Sequence, residues 1–184
     1  MSSSGVSPRL KSLGPSKFAQ LVDLIGKFDR EARRCAKAHA YYAACVMQAA
    51  VLEGMLIAMC DGDLNKVSAY LQTLPKEQRP KGQVATWGMN QLIKIAVALH
   101  WLPSRVSSRG RRKIGDWVAL VKEFRNLVHP GKHVRDYPKV RLRKGHFSDS
   151  LTIVQVATDH LWASVTGQPP SQELVQKKGR QKGR

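Results

Sequence analysis

The chain has 184 residues and 42% hydrophobic content, enough for one domain with a substantial core plus loose ends. Lysine and arginine number 31 against 13 acids, and the net charge of +18 favours a polyanionic partner, nucleic acid first and an acidic membrane surface second. Cys35, Cys45 and Cys60 lie in apolar contexts without C-x-x-C spacing, which argues against a disulfide framework or a zinc site and for reduced core residues of a cytoplasmic protein.

The first 15 residues, MSSSGVSPRLKSLGP, lack the apolar centre of a secretory signal and have the serine, glycine and proline content of a disordered segment. A helical domain is expected over residues 16–167. Ser16 is the expected cap of a first helix whose buried stripe is Phe18, Leu21, Val22, Ile25 and Phe28. Arg30, Arg33, Arg34 and Lys37 at its far end read as a solvated basic face. Residues 40–60, AYYAACVMQAAVLEGMLIAMC, are long enough to span a bilayer. Gln48 and Glu53 near the middle instead favour a central helix buried in a bundle, so no membrane contact is expected.

A shorter helix is expected over Leu64–Leu74, and the two prolines of residues 75–82 mark a loop. The next helix is expected from about Val84 to Trp101, with Trp87, Leu92, Ile95, Ala96 and Leu99 on its apolar face. Residues 103–113 form a loop that carries Arg105, Arg109, Arg111, Arg112 and Lys113 with no acid. Residues 132–144 hold Lys132, Arg135, Lys139, Arg141, Arg143 and Lys144 against Asp136 alone. These eleven cations are the expected nucleic-acid-binding residues. A last helix is expected over about Asp149–Val165, packed through Leu151, Val154, Ala157, His160, Leu161 and Trp162. Residues 168–184 read as a basic disordered tail. The fold class expected is all-α, with no convincing strand pattern.

The stretch Asp116–His133, DWVALVKEFRNLVHPGKH, is where chemistry is best placed. Trp117, Leu120, Val121, Phe124, Leu127 and Val128 make an amphipathic helix that Pro130-Gly131 ends. Arg125 and His129, four apart, stand one above the other beside that stripe. Cleavage of RNA without a metal needs a base for the 2′-hydroxyl, a cation for the crowded phosphate and an acid for the leaving 5′-oxygen. His129 can be the base, Arg125 the stabiliser, His129 of a second subunit the acid, and Asn126 can hold phosphate or orient the imidazole. The alternative is structural: Arg125 pairs with Glu53 of the apolar helix, and Asn126 and His129 satisfy backbone groups at the helix end. No H-E-x-x-H, carboxylate triad, glycine-rich phosphate loop or serine or cysteine nucleophile signature accompanies these residues, so no metal or cofactor is expected. His39, His100 and His160 read as packed or capping residues.

The apolar helix with a single glutamate (AAVLEGML), followed by a later helix ending Arg125-Asn126-Leu127-Val128-His129-Pro130-Gly131, resembles bacterial members of the HEPN superfamily, over roughly residues 17–166 in element order. The resemblance implies an antiparallel bundle of about five to six helices. It also implies a homodimer in which two R-N-x-x-H-P-G motifs face each other across a cleft. Many catalytic members are metal-independent endoribonucleases, toxins of toxin–antitoxin or phage-defence systems, so RNA and an antitoxin or other protein are the implied partners. Other members are inactive binding modules. The family's catalytic pattern has four to six residues between arginine and histidine with a polar residue after the arginine. Asn126 meets the second condition, whereas three residues separate Arg125 from His129.

Overall fold

The computed structural model describes residues 10–102 and 143–167, and within them the protein is all-α. Five helices are described: α1 Pro15–Lys37, α2 Tyr41–Gly62, α3 Leu64–Thr73, α4 Met89–Ala98 and α5 Lys144–Thr166.

The first helix starts on Pro15, whose missing N–H costs nothing at that position and whose fixed φ suits the first turn. Gly14, not Ser16, occupies the cap position, and its carbonyl accepts from the Phe18 N–H at 3.0 Å. Leu10, Ser12 and Leu13, expected in the disordered segment, are tied down instead. Asp61, at the end of α2, accepts from Ser12 Oγ at 3.1 Å and from the Leu13 N–H at 2.8 Å. Leu10 packs on the main core. Phe18, Leu21, Ile25 and Phe28 form the packed stripe of α1, as expected. Val22 does not: it is 52% exposed, because at about 100° per residue it falls at the edge of the arc centred on Ile25.

A tight turn joins α1 to α2. The Ala40 N–H donates to the Cys35 carbonyl at 2.8 Å and the His39 N–H to that of Ala36 at 3.1 Å, with His39 left-handed at φ +61°. These paired bonds are the Schellman end of a helix, and they reverse the chain. Together with the Asp61 contacts at the far end they make α1 and α2 an antiparallel pair.

The second helix is apolar on every side because it has neighbours on several. Ala44, Gln48, Ala49, Val51, Leu52, Leu56 and Cys60 are all buried. Gly54 allows the closest approach to α1, since a Cβ there would sit 2.7 Å from Ile25 Cγ1. By length and composition α2 could cross a membrane, at 22 residues and a mean hydropathy of 1.8, but it packs here as the central helix, half buried over that stretch.

The expected helix over 84–101 is broken. A 3₁₀ turn spans Val84–Thr86, and α4 starts only after Gly88, whose N–H donates to Gln91 Oε1 at 3.0 Å. Leu92, Ile95 and Ala96 face the core as expected, and Trp87 is buried ahead of the helix. The last helix starts at Lys144, five residues before the expected Asp149. Phe147 in its first turn packs with Ala32, Ala44 and Cys45, and Cys45 Sγ lies 3.8 Å from Ser150 Oγ. Further along, Thr158 Oγ is 3.3 Å from Met55 Sδ. Rising residue numbers thus run together, and α5 lies parallel to α2. Val154, Ala157 and Leu161 are buried as expected, joined by Ile153, whereas Trp162 is 65% exposed.

Candidate functional site

Arg125, Asn126 and His129 lie outside the described residues, as do Arg105, Arg109, Arg111, Arg112, Lys113, Lys132, Arg135, Lys139 and Arg141. Of the expected nucleic-acid-binding residues, Arg143 and Lys144 are described. Both are exposed, Arg143 at the cap position of α5, where its carbonyl accepts from the Phe147 N–H at 3.3 Å, and Lys144 as the first residue of the helix. Glu53, the carboxylate expected inside α2, is half-buried and engaged.

Two of the scattered histidines are capping residues, as expected. His39 and His100 both occupy the left-handed position after a helix, and at the end of α4 the Trp101 N–H donates to the Ala96 carbonyl (2.9 Å) and the His100 N–H to that of Val97 (3.1 Å). His39 Nδ1 and the Tyr41 hydroxyl are 2.8 Å apart, with the rings edge to face at 5.9 Å. His160 is half-buried on α5, and burial lowers its pKa below the ordinary value against a smaller opposing pull from Asp159.

The three thiols are free. Burial drives the Cys60 pKa up to about 12, with the Asp61 carboxylate adding to the rise. Burial raises that of Cys45 as well, partly offset by Ser150. These are packing cysteines, as their apolar contexts suggested. Among the described residues no three His, Cys, Asp or Glu side chains converge at metal-binding range.

An apolar groove of about 670 Å³ lies between α1, α2 and α5. Phe18, Val22 and Ile25 form one wall, Met55 and Met59 the floor, and Trp162 the other wall. Val22 and Trp162, assigned to the core from periodicity, are exposed instead and line the groove. The signal that distinguishes them is width: both lie at the edge of an apolar arc broader than one neighbouring helix can cover.

Comparison of the chain with family models, with curated proteins and with solved structures gives no match.

Proposed function

We propose that this chain engages RNA as a HEPN-like helical protein and cuts it without a metal ion through Arg125, Asn126 and His129. The observation that carries RNA engagement is the charge: +18 overall, with the cations gathered in stretches that hold almost no acid. In the reaction His129 takes the 2′-hydroxyl proton, and the 2′-oxygen forms a bond to phosphorus. The bond from phosphorus to the 5′-oxygen breaks, and that oxygen takes a proton from His129 of the partner subunit. Arg125 neutralises the charge that builds on the phosphoryl oxygens. The products are a 2′,3′-cyclic phosphate and a 5′-hydroxyl.

The short separation of Arg125 and His129 favours a second reading, in which the motif is structural and the protein is a non-catalytic module that binds nucleic acid or a partner protein. Incubation of the full chain with RNA in EDTA separates the two. The first reading expects cyclic-phosphate ends, intact DNA, and a His129→Ala variant that binds but does not cut. Arg125→Lys fails too, because lysine lacks the planar fork that grips two phosphate oxygens. Folded protein that binds RNA and leaves it whole assigns the second reading. Protein that does neither removes RNA from both.

A further inference from the structure

We propose that the end of the bundle where α1 finishes, α2 begins and α5 begins is the surface along which the nucleic-acid backbone lies. The proposal rests on the RNA-engaging reading above and adds the place. Phe147, in the first turn of α5, shares one buried cluster with Ala32 near the end of α1 and with Ala44 and Cys45 at the start of α2. The α1–α2 turn and the start of α5, more than a hundred positions further on, therefore meet around a single apolar plug.

What that plug gathers is positive charge. With Ala32 facing inward, Arg30, Arg33, Arg34 and Lys37 fall within an arc of about 100° on the opposite side of α1. All four are exposed, and Lys144, also exposed, stands at the same end of the bundle as the first residue of α5. From Arg30 to Lys37 the row is about 10 Å long at 1.5 Å per residue, enough to follow more than one phosphate. The acids within that stretch of α1, Asp29 and Glu31, are engaged with Arg33 at 2.9 Å and Arg34 at 3.4 Å. Such exposed pairs are weak, so a phosphate competes readily for the guanidinium. Among the described residues Arg30, Lys37 and Lys144 form no ion pair. The opposite end of the bundle differs, because Asp61, Asp63 and Asp159 gather there at the end of α2 and along α5. Lys11, Lys17 and Lys66 lie toward that end and match those three acids in number, whereas around the α1–α2 turn and the start of α5 the described cations outnumber the acids.

The test compares two triple variants of the full chain that make the same change in net charge. One carries Arg30→Glu, Lys37→Glu and Lys144→Glu. The other carries Lys11→Glu, Lys17→Glu and Lys66→Glu, toward the opposite end. Affinity for a fluorescein-labelled single-stranded RNA, and for the matching DNA, is read by anisotropy between about 50 and 200 mM salt. The first triple is expected to lose at least about tenfold in affinity and to flatten the salt slope by about 2, at roughly 0.7 per lost single-strand contact. The second keeps the slope. Equal loss in RNA and DNA identifies the shared phosphate backbone as the ligand, and loss with RNA alone identifies contacts to the ribose. A glutamine version of the first triple, Arg30→Gln, Lys37→Gln and Lys144→Gln, guards against misfolding of the reversed-charge helix and is expected to show a similar slope change, because the same three contacts are lost, with a smaller loss of affinity. Equal weakening by both glutamate triples overturns the proposal in favour of bulk charge, and wild-type binding by the first triple overturns it while leaving RNA engagement standing. A wild-type chain that does not bind RNA overturns both.

Discussion

Histidine is a costly residue for the left-handed conformation that His39 and His100 both adopt, by roughly 1–2 kcal/mol relative to glycine before glycine's greater freedom in the unfolded chain is counted. At position 39 the hydrogen bond with the Tyr41 hydroxyl offsets part of that cost. His100 is exposed, so His100→Gly is expected to raise stability by about 0.5–1 kcal/mol, read as a higher urea midpoint at unchanged slope. The thiols give a second residue-scale expectation. Cys45 and Cys60 are buried and their thiolates disfavoured, whereas Cys35 is half-buried on α1. At pH 8 a thiol reagent should therefore modify Cys35 first and the other two only on denaturation. Since the Cys60 pKa rises from 9.0 to about 12 on folding, above pH 9 only the unfolded chain ionises there. Stability should fall as pH climbs from 9 toward 12, and this slope should shrink in Cys60→Ala.

The crossing of α1 and α2 is an element-scale feature set by one residue. Alanine normally favours a helix over glycine by about 1 kcal/mol, but at Gly54 the new methyl would meet Ile25 Cγ1 at 2.7 Å. Gly54→Ala should therefore destabilise by about 1–3 kcal/mol in thermal melts, while Gly62→Ala, at a position open to space, should be neutral or stabilising. Helix periodicity located α1, α2, α3 and α5 well, because each presents a stripe or an unbroken apolar run. It failed where the chain is locally ambiguous. Residues 84–101 carry a continuous helical spacing, yet Gly88 lets Trp87 turn into the core before α4 begins. The start of α5 was hidden by Gly145 and by basic residues that resemble a loop, and Phe147 alone marks that turn as packed. The catalytic expectation rests on residues 125–129, outside the described part. The basic end of the bundle was present in the sequence as two separate groups, four cations on α1 and Arg143 with Lys144. That they share one end depends on the packing of Phe147 with Ala32, Ala44 and Cys45, residues more than a hundred positions away, which no local pattern reveals.

At the scale of the whole molecule, the direction of α5 has a consequence for how the chain reaches its native state. An antiparallel neighbour such as α1 can find α2 through a turn of three residues, from Ala38 to Ala40. A parallel neighbour cannot, because its start must be carried back to the α1–α2 turn from the far end of α2, where Gly62 leaves off. That return is made by about eighty residues, 63–143. Closing so long a loop costs entropy before any contact is gained. The α1–α2 hairpin is therefore the local, early unit, and α5 docks late, against a surface that has to wait for it. Synthesis proceeds from the N-terminus, so the α1–α2 hairpin emerges while the side of α2 that receives Ser150, Val154 and Leu161 is still bare. During that interval an exceptionally apolar helix stands open to water, and a nascent chain of this sequence is then most exposed to aggregation and to capture by chaperones.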